Sequence, residues 1–167
     1  MSSTFVAILM GSDSDLPVMQ ATIDILKQFD ITHEVRVRSA HRTPDAAKAY
    51  VKDAEERGCK VFICAAGLAA HLAGAVAGMT TRPVIGVPVD CGPLQGHDAL
   101  LSTVMMPGGI PVATVAIGKA GAKNAGYLAA QILGVADQSM ADKVKAERVA
   151  NAAALLAKDE AMQAKLS

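Results

Sequence analysis

Short apolar runs alternate with longer amphipathic segments over most of the chain. Four runs have the length and apolar content of buried strands, 5–10, 60–65, 83–87 and 112–117, and a more polar strand is expected at 32–37. Between them, the spacing of apolar residues predicts helices at 15–29, 44–57, 98–105 and 121–133, with a short helix within 67–78. Strands separated by helices need crossover connections, so we expect an α/β domain over residues 1–137 with a five-stranded parallel sheet covered on both faces.

The segment after residue 137 has a different pattern. Residues 138–167 are rich in Ala, Lys, Glu and Met and contain no Gly or Pro, which predicts a helix or a helix pair. Its apolar positions are sparse for a helix that packs only on its own domain: Met140, Val144, Val149, Leu155 and Leu156. We therefore expect a C-terminal helical extension.

Two polar motifs follow the first two predicted strands. Residues 11–15 read GSDSD and residues 39–44 read SAHRTP. In the second motif, Thr43 and Pro44 suffice as N-cap and first residue of the next helix, which Gly58 ends. If the two strands are neighbours in a parallel sheet, both motifs meet at its carboxyl edge, where ligands bind in open α/β sheets.

The motifs combine groups suited to a phosphorylated substrate that needs a proton moved. A helix N-terminus after 11–15 can bind an anion, Arg42 can donate to phosphate, and His41 can exchange a proton near neutral pH. The plainer interpretations are turn chemistry with Asp13 or Ser14 as a cap, and a surface turn at 41–42. Neither a GxGxxG nor a Walker A loop is present, so neither NAD nor ATP is indicated.

Three further segments carry weaker signals. His71 lies in an Ala/Gly stretch after the third strand, as a structural residue or as part of the lining of a small dry chamber. His97 and Asp98 are expected to be solvated loop residues. The prolines and glycines of 105–111 indicate a constrained loop near a ligand.

Composition narrows the class of protein. Hydrophobic residues make up 51% of the chain and aromatic residues 3%, which predicts an aliphatic core. Lys plus Arg and Asp plus Glu both number 16, so no basic field favours nucleic acid or an anionic membrane. The three cysteines have no CxxC spacing, so neither a zinc site nor a disulfide framework is expected. With no signal-type N-terminus and no membrane span expected at 61–89, the location is predicted to be cytoplasmic.

A set of motifs now points to a known family. In order and spacing, the chain resembles the N5-carboxyaminoimidazole ribonucleotide mutase family of purine biosynthesis over about residues 5–137, through GSDSD, SAHRTP, AAHLAG, PVIGVPV, MPGGIPV and IGKAGAKNAGYLAAQIL. The resemblance implies a flavodoxin-like three-layer αβα sandwich, a homo-octamer with active sites at subunit contacts, and a ribonucleotide substrate. It implies no metal and no other cofactor. In such an assembly we expect residues 138–167 to pack on a neighbouring subunit.

The resemblance also implies the site. His41 is the expected acid/base, and Ser12, Asp15 and Arg42 match substrate-binding positions. Residues 67–72 match a segment that borders the carboxylate or CO2. The full set expected to bind substrate is Gly11, Ser12, Asp15, Ser39, Ala40, Arg42, Gly67, Leu68, Ala70, His71 and Leu72.

Some positions depart from the family pattern, and two other functions stay open. Leu68 and Ala73 stand where some relatives have Gly and Pro, Asp90-Cys91 replaces a common Ser-containing pair, and Met105 replaces a common Gln. One alternative is a carboxylase that joins free CO2 to aminoimidazole ribonucleotide, although that branch typically carries Lys where this chain has Arg42. The other is a non-catalytic, flavodoxin-like phosphate-binding module.

Overall fold

A single parallel sheet forms the centre of the molecule. The computed structural model describes residues 4–166. Its strands are β1 (Phe5–Met10), β2 (His33–Val37), β3 (Cys59–Ala66), β4 (Val84–Pro88) and β5 (Ala113–Thr114). They lie in the order β2-β1-β3-β4-β5, and every pairing is parallel. The α/β class with a five-stranded parallel sheet is confirmed.

Helices cover both faces of the sheet. They are α1 (Leu16–Gln28), α2 (Pro44–Arg57), α3 (Leu72–Ala77), α4 (His97–Val104), α5 (Gly118–Gly134) and α6 (Gln138–Leu166). Successive residues of β1 point to opposite faces, so Val6, Ile8 and Met10 pack in the core with α1 and α5. Phe5, Ala7 and Leu9 pack in the other core with α2 and α3. Burial of alternate residues on both sides explains the nearly continuous apolar runs.

The fifth strand is shorter than the sequence predicts. The expected strand at 112–117 is reduced to Ala113–Thr114, although Val115 N–H still donates to the Gly86 carbonyl at 3.0 Å. The next bond of this parallel ladder would need an N–H from Pro88, which proline lacks. The pairing therefore stops where β4 reaches Pro88.

The C-terminal segment is one continuous helix of 29 residues. Its first turns pack on the domain through Met140 and Val144, and Tyr127 of α5 donates to Glu147 at 3.1 Å. From residue 148 to 166 every position is exposed, including the apolar Val149, Leu155 and Leu156. A helix of this length spans roughly 43 Å at 1.5 Å per residue, so its second half extends well beyond the domain. No helix among residues 4–166 combines the length and apolarity needed to cross a membrane.

Candidate active site

One cavity lies at the carboxyl edge of the sheet, where the strand order reverses between β1 and β3. It has a volume of about 500 Å³. The loops after β1, β2, β3 and β4 line it, through Gly11, Ser12, Ser14, Asp15, Ser39, Ala40, His41, Arg42, Ala66, Gly67, Leu68, Ala69, His71, Leu72 and Cys91. A switch point of this kind is where open α/β sheets bind ligands.

The turn after β1 is organised by its own polar side chains. Ser12 Oγ accepts from the N–H of Ser14 at 3.3 Å and from its hydroxyl at 2.9 Å, while Ser12 N–H donates to Asp15 Oδ2 at 3.1 Å. Burial raises the pKa of the Asp15 carboxyl, and the N–H groups of Ser12 and Gly11 oppose that shift. A single 3₁₀ turn, Asp13–Asp15, leads into α1. The expected turn chemistry is present, and the same turn lines the cavity.

The turn after β2 is braced by Ser39 and Thr43. Thr43 precedes Pro44 as expected and Gly58 ends the helix at φ 104°, but the Thr43 hydroxyl does not cap it. Thr43 Oγ1 instead accepts from Ser39 N–H at 2.9 Å, and Ser39 Oγ accepts from Arg42 N–H at 3.0 Å. These bonds fix the backbone that carries His41 and Arg42, so neither side chain is needed to make the turn.

Arg42 joins the first two turns. Its Nη2 donates to the Gly11 carbonyl at 2.8 Å, across the boundary between β2 and β1. The guanidinium also opposes the raised pKa of Asp15 electrostatically. The remaining donors of Arg42 lie on an exposed side chain beside the cavity, where they can meet a phosphate or a carboxylate.

His41 and His71 form a pair across the cavity. His41 Nε2 and His71 Nδ1 are 2.7 Å apart, and the rings meet edge to face with centroids 4.8 Å apart. Only one of the two nitrogens can carry the hydrogen of that bond, so one ring donates and the other accepts. Both residues are exposed to the cavity. Because of the 2.7 Å contact, His71 is a direct partner of His41.

Most of the residues expected to bind substrate line this one cavity, and the exception is Ala70. Ala70 is buried, with 1% of its surface exposed, and does not line the cavity. Four lining residues were missed by sequence reasoning: Ser14, Ala66, Ala69 and Cys91. Cys91 carries a usable signal, since it comes shortly after β4 and so reaches the same edge of the sheet. The roles assigned to all of these residues stay predictions.

The other segments singled out in the sequence lie outside the cavity lining. His97 begins α4, and its Nδ1 lies 3.0 Å from the Leu94 carbonyl oxygen. In the 105–111 loop, Met106 Sδ lies 3.1 Å from where a Cβ on Gly74 would stand, so the loop packs on α3. Met105 is exposed. The position of this loop is set by packing against α3.

A second depression, of about 620 Å³, lies on the β2–α2 surface. Its carboxylates already have partners: Arg57 pairs with Glu34 and, at 2.7 Å, with Asp53. No histidine is among the residues that line it. Within residues 4–166, no three His, Cys, Asp or Glu side chains are grouped so that they could hold a metal ion.

The strand order and the cavity at its switch point define a flavodoxin-like α/β protein with two polar turns and a histidine pair in one site. A family model described as AIR carboxylase matches residues 5–154. The chain belongs to the AIR carboxylase family.

Individual relatives agree with this assignment. The N5-carboxyaminoimidazole ribonucleotide mutase of Thermotoga maritima is 59% identical over 140 residues, 84% of this chain and 81% of that protein. The protein of the same name from Mycobacterium tuberculosis is 52% identical over 158 residues, 95% of this chain and 90% of that protein. The crystal structure of Treponema denticola PurE superposes with a TM-score of 0.85 at 33% identity, covering 95% of this chain and 98% of that one.

Proposed function

We propose that this protein is an N5-carboxyaminoimidazole ribonucleotide mutase of purine biosynthesis. It moves a carboxylate from the exocyclic nitrogen N5 of an aminoimidazole ribonucleotide to ring carbon C4. The observation that carries the proposal is the 2.7 Å contact between His41 and His71, in the same cavity as the polar turn after β1. Relatives that carry this name at 52–59% identity over most of the chain support it.

Substrate binding falls to the two polar turns. Arg42 offers fork-shaped donors, and Ser12 and Ser14 present hydroxyls next to the N–H groups at the start of α1. Asp15 is positioned to accept a hydrogen bond from the substrate, since its carboxylate is already oriented by Ser12 N–H. The loop after β3, with Gly67, borders the carboxylate that moves.

His41 handles the proton in both halves of the reaction. It begins as an imidazolium that donates Nε2–H to His71 Nδ1 and presents Nδ1–H to the substrate. The N5–carboxyl bond breaks, CO2 leaves, and N5 takes the proton from His41. C4 then attacks CO2, and neutral His41 removes the C4 proton, which restores the aromatic ring and the imidazolium. Atoms and charge balance with no metal, ATP or other cofactor in the scheme.

Assembly and location form part of the proposal. A homo-octamer with sites at subunit contacts would cover apolar side chains that are exposed on a single chain, including Leu94, Leu101 and Met105 around α4. The exposed half of α6, residues 148–166, would pack on a neighbouring subunit. Light scattering should give an octamer at micromolar concentration, and a monomer would contradict the assembly. Three unpaired cysteines support a reducing, cytoplasmic location.

The deciding experiment compares two substrates. Purified protein is given either N5-carboxyaminoimidazole ribonucleotide or aminoimidazole ribonucleotide with bicarbonate, and formation of the C4 carboxylate is followed. A mutase uses the first far better, as Arg42 in place of the lysine typical of the carboxylase branch leads us to expect. Preference for the second would make the protein a carboxylase. Turnover of neither, with ribonucleotide still bound, would indicate a binding module.

A further inference from the structure

The depression on the β2–α2 surface holds more positive than negative charge. Glu34, Arg36 and Arg38 alternate along β2 and its continuation, so their side chains share one face of the sheet. Helix α2 adds Asp53 and Arg57 to the lining. Three guanidiniums and two carboxylates therefore surround a volume of about 620 Å³.

Arg57 neutralises both carboxylates. It donates to Glu34 from Nη1 and Nη2, and to Asp53 from Nε at 2.7 Å. Among the four ion pairs formed within residues 4–166, none involves Arg36 or Arg38. The excess positive charge of this surface therefore lies on these two arginines.

One aromatic ring holds both of these guanidiniums. Arg36 Cζ lies 6.0 Å and Arg38 Cζ 5.5 Å from the centroid of the Tyr50 ring, which are cation–π distances. Tyr50 itself is buried, and its hydroxyl donates to Glu34 at 2.9 Å. Long side chains that are already held in place lose less conformational entropy when they bind a ligand.

The protein leaves hydrogen bonds of these arginines unmade. Arg38 Nη1 donates to the Val37 carbonyl at 2.8 Å, whereas Arg38 Nε is buried and has no acceptor within residues 4–166. In the same part of the chain, the side chain of Arg36 has no acceptor either. Because a guanidinium carries five N–H donors, both side chains keep terminal N–H groups for an external anion.

We propose that this surface is a second anion site, which binds the diphosphate group of a small molecule through Arg36 and Arg38, held on the Tyr50 ring. One arginine fork matches the oxygens of one phosphoryl group, so two neighbouring forks suit two linked phosphoryl groups. The site shares no lining residue with the cavity that holds His41 and Arg42. It is therefore independent of the proposed mutase function.

Calorimetric titration with inorganic pyrophosphate tests the site, at low ionic strength because salt screens exposed charges. All measurements use the full chain carrying Arg42→Ala, so that Arg42 cannot bind the anion in the active-site cavity. One pyrophosphate should bind per chain in this background. Absence of binding there would overturn the proposal.

Substitution of the two arginines should remove the site. Arg36→Gln and Arg38→Gln should each weaken pyrophosphate binding at least ~tenfold, as expected for the loss of a charged hydrogen bond. Arg36→Lys keeps the charge without the fork and should recover part of the affinity. Unchanged affinity in both glutamine variants would overturn the proposal.

Lys52→Gln is the matched control. It removes one positive charge from an exposed position of α2 that does not line the depression, so it should leave the affinity unchanged. A loss equal to that of the arginine variants would show diffuse attraction only and would also overturn the proposal. Light scattering should give the same assembly for every variant, which separates a loss of affinity from a loss of assembly.

Two variants test whether the Tyr50 ring holds the arginines. Tyr50→Phe keeps the ring and should bind pyrophosphate as tightly as the parent, whereas Tyr50→Leu should bind it about threefold more weakly. Thermal unfolding confirms that both variants are folded. If Tyr50→Leu is folded and binds as tightly as Tyr50→Phe, the role of the ring is overturned. If Tyr50→Leu does not fold, a loss of affinity in Tyr50→Phe overturns it instead.

ADP distinguishes two sources of the diphosphate group. Binding of ADP at least as tightly as pyrophosphate, and lost in Arg36→Gln, would support the site and indicate a nucleotide as its ligand. Binding of pyrophosphate alone would support the site and indicate the free anion.

Discussion

The two sides of the cavity are held together by different physical means. After β1 and β2, the turns are connected by directional bonds, such as that from Arg42 to the Gly11 carbonyl at 2.8 Å. After β3 and β4, the loops fit by shape, with Cys91 over Gly67 and Leu68 over Gly92. Hydrogen bonds orient charged and polar groups toward a substrate, whereas close packing excludes water and fixes the volume of a chamber.

The difference affects how each side tolerates substitution. On the polar side, removing the side chain of His41 or Arg42 should reduce binding or turnover while the fold survives, because both side chains are exposed. On the packed side, adding a single methyl group should disturb the fold, because there is no space for it. The following predictions test this contrast.

The largest effect is expected for His41→Asn. Asparagine keeps the approximate size and some hydrogen bonding but cannot carry a proton at neutral pH, so turnover should fall at least ~10²-fold while nucleotide binding remains. Steady-state kinetics at saturating substrate and calorimetric binding measure the two separately. In the complex, N5 and C4 should both lie within hydrogen-bonding reach of residue 41. Comparable turnover in wild type and variant would refute the mechanism and favour a binding module.

His71→Asn tests the contribution of the contact between the two histidines. It removes the ring that contacts His41 Nε2 at 2.7 Å but leaves the proton-carrying ring in place. The loss of turnover should be smaller than for His41→Asn, and the pH profile of turnover should shift because His41 has lost its partner. A pH profile identical to that of the wild type would show that the contact has no role in orienting His41.

Arg42→Ala should mainly weaken binding. The lost charge-assisted contacts with a phosphate or carboxylate should cost ~2–4 kcal/mol in affinity, with a smaller effect on turnover at saturation. Arg42→Lys is the matched variant, since it keeps the charge but loses the fork of donors, and it should recover part of the affinity. Near wild-type affinity in Arg42→Ala would remove this residue from the site.

Gly67→Ala tests the packed side. A Cβ at 67 would stand 2.0 Å from Cys91 Sγ, so the variant should lose about 1–3 kcal/mol of folding free energy, as for an overpacked core. The double variant with Cys91→Ala should regain most of that loss, which urea denaturation can measure. Gly108→Ala is the control, because nothing lies within 4 Å of a Cβ at that position and the chain has no positive φ there. Absence of rescue in the double variant would mean that the clash has another source.

The same contrast explains what could be predicted from the sequence. The strand pattern and the positions of GSDSD and SAHRTP sufficed to bring His41, Arg42 and Asp15 to one edge, because strand ends and polar turns are local features. The contact between Leu68 and Gly92 joins residues on different loops, and no periodicity encodes it. The resemblance implied a substrate-binding role for Ala70, whereas the burial of its side chain depends on packing that the motif does not encode. The early end of β5 depended on Pro88 in the partner strand.

A smaller effect is expected for Asp15→Asn, and the stability difference between this variant and the wild type should depend on pH. Burial raises the pKa of Asp15, so its favourable contribution to stability is complete below the unfolded pKa of about 3.9 and is lost as pH rises through the folded pKa. Asparagine does not titrate. The stability of the wild type relative to Asp15→Asn should therefore be lower at pH 7 than at pH 3.5, while KM rises about tenfold from the loss of a charged acceptor.

On the β2–α2 surface, Glu34→Gln should show the opposite dependence of folding stability on pH. Hydrogen bonds from Arg57 lower the pKa of Glu34, so its contribution is present above the unfolded pKa and is lost as pH falls. Urea denaturation from pH 3.5 to 7 should show the wild type gaining stability relative to Glu34→Gln as pH rises, with KM unchanged. If the pH trend for Asp15→Asn matched that for Glu34→Gln, burial would not control Asp15. Its carboxylate would then be a stabilising group of the turn. The raised pKa, which marks Asp15 as a group kept for substrate binding at a cost in stability, would no longer support that assignment.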